Sequence, residues 1–294
     1  MPLDKSAKII TIFLQQDFTQ FMKFNHHYLQ MEEHFLYVPY YDHMRRVRVL
    51  LPKDYYHEDW QRYPVVYMHD GQNVFYSKES YSGYSWKIIP TIKNHREFPK
   101  LIIVGIDNAG EKRLDEYGPW QTNTGSTPET TNAGGMGMEY GQWVVEIVKP
   151  FIDKIYRTKP EREYTLLAGS SMGGIITAYM GAAYPQVFGH LGVFSLASWF
   201  SEQDFIAYMH NHPVYQDTKV FIQVGTNEGD DMDSLFISNM NQAYIDCTLH
   251  YYQALLRCGH PVDNIRLKIM ANEIHHEIHW ANHFVDFLRF SLVE

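Results

Sequence analysis

A strand, a glycine-rich turn and a helix follow one another without a break in residues 163–184. The apolar run Glu163–Ala168 (EYTLLA) leads into Gly-Ser-Ser-Met-Gly, and the helical pattern Met172–Tyr184 follows and stops before Pro185. A chain that turns from strand to helix within one residue needs glycine on both sides, because side chains there would clash. The pattern therefore predicts a sharp turn that exposes Ser171 above a helix N-terminus.

The rest of the chain alternates strand-like and helix-like segments, which predicts an α/β domain with a mainly parallel sheet. Near-continuous apolar runs are typical of parallel strands that are buried on both faces. Such runs, and shorter ones that continue the series, occur at Pro64–His69, Leu101–Asp107, Leu191–Ser195, Val220–Val224 and Ile265–Ala271. His34–Pro39 and Arg45–Pro52 predict an antiparallel pair near the N-terminus, and Ile9–Leu14 predicts a further strand.

Apolar residues at helical spacing predict three further helices. They cover Glu139–Tyr156, with a kink at Pro150, then Leu235–Arg257 and Trp280–Leu292. Asn108–Met138 shows no periodicity, so it is either a functional segment or a surface excursion. No convincing linker divides the chain, and we therefore expect one domain over 1–294.

Composition excludes several classes of function. The formal net charge is −9 and no cluster of Lys and Arg extends beyond Arg45-Arg46, so nucleic acid and anionic membranes are not expected partners. No apolar stretch reaches the length of a membrane span, and the N-terminus lacks a signal-peptide pattern. Two cysteines, Cys247 and Cys258, form no disulfide framework. We therefore predict a cytoplasmic protein.

A serine on such a turn becomes a nucleophile only when a histidine and an acid assist it, in the chain order serine, acid, histidine. After the run VFIQV the chain offers Glu228, Asp230 and Asp231, with Glu228 as first choice and Asp231 as second. The histidines after the last predicted strand are His275, His276, His279 and His283. The His-Glu-x-x-His zinc pattern is one residue short here, so no metal is predicted.

Two backbone N–H groups are candidates to bind an oxyanion. Met172 N–H follows the predicted nucleophile, and Gln72 N–H lies in the loop after the run PVVYM, where Gly71 permits close approach. The alternative for that loop is an ordinary Asp-Gly turn. Trp199 and Phe200 either wall an apolar substrate pocket or pack in the core.

The motifs resemble the esterase D-like group of α/β-hydrolases from about residue 46 onward. The resemblance rests on YPVVYMHDGQNVF, GYSWKI, the Arg113…Glu116-Tyr117-Gly-Pro119-Trp120 stretch, GSSMGG, GTNEGD and the His275-His276-Glu277-Ile278-His279-Trp280 segment. It implies that Ser171 is the nucleophile, that Glu228 is the acid, and that His275 rather than His276 is the base. It also implies that Arg113 and Tyr117 border the active site.

The resulting prediction is a serine carboxylesterase that hydrolyses short-chain acyl or aryl esters through a Ser-His-Glu triad and an acyl-enzyme. An acyltransferase with the same site, or a feruloyl- or siderophore-type esterase, is the alternative. The substrate-binding candidates are Gly71, Trp199, Arg113 and Tyr117. No cofactor is expected, the expected partner is a small ester, and a homo-oligomer is left open.

Overall fold

The computed structural model describes residues 24–25, 29–122, 132–229 and 239–294. Within these ranges one nine-stranded sheet has the order β1-β2-β3-β5-β4-β6-β7-β8-β9. The strands are β1 (Phe24–Asn25), β2 (Leu29–Val38), β3 (His43–Pro52), β4 (Val65–Met68), β5 (Ile102–Ile106), β6 (Thr165–Ser170), β7 (His190–Phe194), β8 (Lys219–Asn227) and β9 (Ile265–Ile274). The predicted strand Ile9–Leu14 lies outside the described residues, and the single domain over 1–294 stays a prediction.

Strands β4 to β9 pair in parallel, whereas β1, β2 and β3 are antiparallel and β3 joins β5 in an antiparallel pair. The predicted α/β class with an N-terminal antiparallel pair is therefore confirmed. Central strands such as β4 are buried along their whole length. Strand β9 differs from the prediction because it is the last strand of the sheet, so most of its residues after Ile265 are partly or fully exposed.

The described part of the chain contains eight α-helices. They are α1 (Ile88–Asn94), α2 (Arg113–Tyr117), α3 (Gly137–Trp143), α4 (Lys149–Ile155), α5 (Met172–Ala183), α6 (Glu202–Asn211), α7 (Met240–Arg257) and α8 (Glu277–Leu292). Buried residues of α1 and α8 share one apolar cluster with one face of the sheet. Buried residues of α2 to α7 share a second cluster with the other face. Helices thus cover both faces, which buries the central parallel strands.

Three helix boundaries differ from the prediction for local reasons. The stretch predicted as one helix with a kink at Pro150 contains a π-helical turn, Val144–Val148, between α3 and α4. Pro150 lies at the start of α4, where its missing N–H is tolerated best. Helix α8 begins at Glu277, earlier than predicted, because the His276 side chain caps it. Helix α7 begins at Met240, and its predicted start at Leu235 lies outside the described residues.

The parallel strands bring several loops to one edge of the sheet. Since β4, β6, β7, β8 and β9 run in the same direction, the residues after their carboxyl ends lie side by side. This edge is where open α/β sheets bind ligands. None of the helices in the described ranges has both the length and the apolar character needed to cross a bilayer. The cytoplasmic location stays a prediction.

Candidate active site

Ser171 lies between β6 and α5 in a strained backbone conformation, with φ 58° and ψ −124°. Its N–H donates to the Phe194 carbonyl at 2.9 Å, and its carbonyl accepts from Gly174 N at 2.9 Å. A Cβ at Gly169 would lie 2.5 Å from the Gly173 carbonyl oxygen, so the turn requires glycine there. Ser171 is partly exposed whereas Ser170 is buried, and the elbow therefore presents the Ser171 side chain.

A buried carboxylate and an imidazole meet after β8 and β9. His275 Nδ1 lies 2.7 Å from Glu228 Oε2, and Glu228 is 0 % exposed. Because an ionised carboxylate only accepts hydrogen bonds, this contact places the proton of the neutral imidazole on Nδ1 and makes Nε2 the acceptor nitrogen. The arrangement is that of an imidazole oriented to take up a proton.

Three donors surround the Glu228 carboxylate. Besides His275, the Ser195 hydroxyl donates to Oε1 at 2.7 Å and Gly225 N–H donates to the same oxygen at 2.5 Å. Burial alone raises the pKa of this carboxyl, but hydrogen bonding and electrostatic attraction to His275, together with the hydrogen bonds from Ser195 and Gly225, outweigh it and hold the pKa below its usual value. Glu228 is therefore ionised at neutral pH although it is buried.

The adjacent histidines His275 and His276 make different contacts. His275 packs with Tyr244 at a ring-centroid distance of 4.7 Å and edge-on with Trp280 at 5.0 Å. His276 instead caps α8, since its Nδ1 accepts from Ile278 N at 3.1 Å. Glu228 thus contacts the first histidine, while Asp231, the second-choice acid, lies outside the described residues.

The loop after β4 lies against the elbow on its other side. Asp70 adopts a left-handed conformation and begins a short 3₁₀ turn, Gly71–Asn73. A Cβ at Gly71 would lie 2.6 Å from the carbonyl carbon of Gly105, so glycine is needed here for packing against β5. Asn108 N–H donates to Gln72 Oε1 at 3.2 Å, which holds the Gln72 side chain. Whether Gln72 N–H and Met172 N–H bind an oxyanion stays a prediction.

Asp70 forms a forked ion pair with Arg113. Arg113 Nε and Nη2 donate to the two carboxylate oxygens at 2.7 and 2.8 Å, and Asn108 Nδ2 donates at 2.6 Å. Burial raises the pKa of the Asp70 carboxyl, but the Arg113 charge and these hydrogen bonds outweigh it and hold the pKa below its usual value. A Cβ at Gly173 would lie 3.3 Å from Asp70 Oδ2, so this pair adjoins the elbow.

Two predicted substrate-binding side chains are buried. Tyr117 is 0 % exposed, and its hydroxyl accepts from Asp70 N–H at 2.9 Å. Trp199 is 4 % exposed and packs edge-on against Tyr244. Both side chains are therefore packed in the protein interior, and their contact with a substrate stays a prediction. Arg113 is the more accessible candidate, with 26 % of its side chain exposed.

Sequence reasoning missed several residues that hold the site together. Ser195 gives no recognisable signal, because it is one serine at the end of a strand. Trp280 belongs to the closing His-x-Glu-x-x-Trp motif, and its indole N–H donates to Ser195 Oγ at 2.8 Å. Glu277 in the same motif accepts hydrogen bonds from Asn73 and Ser82 and so ties α8 to the loop after β4. The spacing of this motif in the sequence could have indicated Trp280 and Glu277, but not Ser195.

A strained serine between a parallel strand and a helix, with a carboxylate–histidine pair at the same sheet edge, defines the class of α/β-hydrolases. Comparison with known proteins identifies the family. The model of the family described as "Putative esterase" matches residues 39–248. The chain belongs to this esterase family and is a carboxylic ester hydrolase.

The chain is also similar to one known sequence and, in fold, to solved structures. The chain is 26 % identical over 245 residues to the uncharacterized protein YbbA of Bacillus subtilis (strain 168), covering 83 % of this chain and 91 % of that protein. Its fold is similar to that of a ferulic acid esterase, with a TM-score of 0.67 and 17 % identity; the match covers 90 % of this chain and 98 % of the esterase chain. The fold is also similar to that of the siderophore hydrolase EstA from Aspergillus nidulans, with a TM-score of 0.68 and 16 % identity. This match covers 88 % of this chain and 93 % of the EstA chain.

Proposed function

We propose that the protein is a serine carboxylesterase in which Ser171, His275 and Glu228 act together. The observation that carries the proposal is the hydrogen bond between Glu228 Oε2 and His275 Nδ1, formed at the sheet edge that also carries the strained Ser171. A serine hydroxyl is a weak nucleophile until an adjacent base takes its proton. The chain order serine, acid, histidine is that of α/β-hydrolases.

The proposed reaction proceeds through an acyl-enzyme. Ser171 Oγ attacks the ester carbonyl carbon while His275 Nε2 takes the hydroxyl proton, which requires the two side chains to approach each other. His275 then passes that proton to the departing alkoxide, and the alcohol leaves. Water then attacks the acyl carbon while His275 takes its proton, and His275 passes that proton to Ser171 Oγ as the bond between the acyl carbon and Oγ breaks and the acid leaves.

Backbone N–H groups of Met172 and Gln72 would stabilise the tetrahedral oxyanion in both steps. Met172 is the first residue of α5, and the first N–H groups of a helix have no carbonyl partner within it. The helix N-terminus also favours negative charge. Losing one such donor costs about 3 kcal/mol of transition-state stabilisation.

The charges near the site favour small neutral esters over strongly anionic ones. The Arg113 guanidinium is already compensated by the Asp70 carboxylate, so it offers no net positive charge. The chain as a whole carries a formal charge of −9. We therefore propose short-chain acyl or aryl esters as substrates.

Replacement of Ser171 tests the mechanism. We expect Ser171→Ala to abolish hydrolysis of p-nitrophenyl acetate and labelling by a fluorophosphonate probe. Ser170→Ala is the matched control, because Ser170 is the adjacent serine but is buried at the end of β6, and it should retain activity. Activity that survives in Ser171→Ala would refute the proposal.

A substrate panel tests the specificity. It contains p-nitrophenyl esters of increasing acyl length, methyl ferulate, and a ferric catecholate siderophore ester as the anionic member. We expect the highest kcat/KM for short acyl or aryl esters. A preference for the anionic ester would contradict the argument from charge.

A further inference from the structure

A buried relay of two side chains holds the carboxylate of Glu228 from the side opposite His275. Ser195 follows β7 with φ 45°, and it is 0 % exposed. Its Oγ lies 2.7 Å from Glu228 Oε1, and Trp280 Nε1 lies 2.8 Å from Ser195 Oγ. We infer that Ser195 and Trp280 are positioning residues for the proposed Ser171–His275–Glu228 chemistry, on which this inference rests.

The direction of this relay follows from the donor groups alone. An indole N–H can only donate, and an ionised carboxylate can only accept. Ser195 Oγ therefore accepts from Trp280, and the single proton of the hydroxyl is donated to the Glu228 carboxylate. The rotation of the hydroxyl is thereby fixed, and no choice of histidine tautomer is involved.

The relay also determines which carboxylate oxygen faces the histidine. Oε1 is occupied by Ser195 and by Gly225 N–H, so Oε2 faces His275 Nδ1. A carboxylate held at both oxygens cannot rotate about its terminal bond without breaking hydrogen bonds in a buried site. Its orientation toward the imidazole is therefore set before any substrate binds.

Trp280 links the acid to the base a second time. Its ring lies edge-on to the His275 ring at 5.0 Å, and the two residues are joined by the first turn of α8. One tryptophan thus contacts the proposed base directly and the proposed acid through Ser195. This double contact gives the Trp at the end of the His-x-Glu-x-x-Trp motif a function beyond packing.

Removing the two hydrogen-bonding groups, singly and together, tests the relay. Ser195→Ala removes the hydroxyl and keeps a non-glycine residue at the strained φ. Trp280→Phe removes the indole N–H and keeps an aromatic ring. For p-nitrophenyl acetate we expect kcat to fall about tenfold in Ser195→Ala and about threefold in Trp280→Phe, with KM nearly unchanged. Trp86→Phe is the control, because Trp86 stacks on Trp280 and loses similar ring volume.

The double variant separates positioning from support of the fold. If Trp280 acts through the Ser195 hydroxyl, Trp280→Phe should change kcat by no more than about twofold once Ser195 is alanine. Independent effects on packing would instead multiply. The kcat values are measured only for variants whose thermal unfolding begins well above the assay temperature. If Ser195→Ala does not fold, the Trp280→Phe and Trp86→Phe pair decides the question alone.

The outcomes distinguish this inference from the proposed function. If Ser171→Ala is inactive but Ser195→Ala and Trp280→Phe retain the parent kcat, the relay has no positioning role and the inference is overturned. Multiplicative losses in the double variant, or an equal loss in Trp86→Phe, overturn it as well. If Ser171→Ala remains active, the proposed function fails first and the relay has no reaction to serve.

Discussion

Two buried carboxylates flank the nucleophile elbow, and they are held in different ways. Asp70 follows β4 on one side and pairs with the Arg113 guanidinium. Glu228 follows β8 on the other side and pairs with the His275 imidazole. Both are ionised because their partners outweigh the cost of burial. The two pairs therefore resemble each other in burial and in the state of the acid, and they differ in the partner.

The partner decides what each pair can do. A guanidinium keeps its proton throughout the pH range of proteins, so the Asp70–Arg113 pair cannot take part in proton transfer. An imidazole can both take up and release a proton, so the Glu228–His275 pair can take part in proton transfer. We infer that the Asp70–Arg113 pair fixes the loop that carries Gln72, whereas Glu228 supports the proposed base, His275.

The largest expected effect comes from Glu228→Gln, which tests the reactive pair. A glutamine amide facing His275 Nδ1 can favour the wrong tautomer of the ring. We expect kcat to fall by about 10³–10⁴-fold, as when the acid of a serine–histidine–acid triad becomes an amide. The thermal midpoint should also fall, because the substitution weakens the hydrogen bonds that the buried carboxylate accepts, although glutamine keeps the size of the side chain. Measurement of kcat and of thermal unfolding on the same preparation checks both statements.

The opposite result for Glu228→Gln would show that the two pairs do not differ in function. If Glu228→Gln retained kcat within about tenfold while its stability fell, Glu228 would be a structural acid like Asp70. His276→Ala and His275→Ala provide a matched pair in the same segment. His276→Ala should lose only the helix cap, about 1 kcal/mol of stability, and keep its activity.

The second prediction concerns Asp70→Asn, which leaves the Arg113 charge without a counter-ion. We expect the free energy of unfolding to fall by about 3 kcal/mol, near the lower end for buried pairs because 26 % of the Arg113 side chain is exposed. Urea unfolding measures this change. The fall in kcat should be much smaller than in Glu228→Gln.

A second substitution identifies the cause of that loss. Adding Arg113→Met to Asp70→Asn removes the unpaired charge and should recover part of the stability. No recovery would mean that Asp70 stabilises the loop through Asn108 and Tyr117 rather than through its charge pair.

Most of the central sheet could be predicted from sequence because its strands are buried on both faces. Apolar runs such as Pro64–His69 leave little choice of structure, and the structure places β4 at Val65–Met68 within that run. Short amphipathic helices such as α1 were not predicted, since seven residues carry too little periodicity. The edge strand β9 was predicted as a strand, but its exposure depends on sheet order, which a local pattern does not contain.

The residues of the candidate site also differ in whether the sequence alone could predict them. Ser171 could be predicted because a strand-to-helix elbow needs glycines at fixed positions. Glu228 and His275 needed the chain order and the family resemblance. Ser195 could not be found, since its role depends on meeting Glu228 and Trp280, which are 33 and 85 residues away in sequence. Contacts between distant residues with ordinary side chains leave no local signal.

The smallest expected effect is the response of the two pairs to acid. Each carboxyl has a folded-state pKa below its ordinary value of 3.8 for Asp70 and 4.5 for Glu228. The unfolded chain therefore binds protons more readily, and each pair adds stability that is complete above the ordinary value and is lost as pH falls toward the folded-state pKa. The stability difference between the parent and Asp70→Asn should shrink below about pH 4, and that for Glu228→Gln should begin to shrink at slightly higher pH. Urea unfolding between neutral pH and about pH 3.5 measures both differences, and a difference that does not change with pH would show that folding does not lower the pKa of that acid.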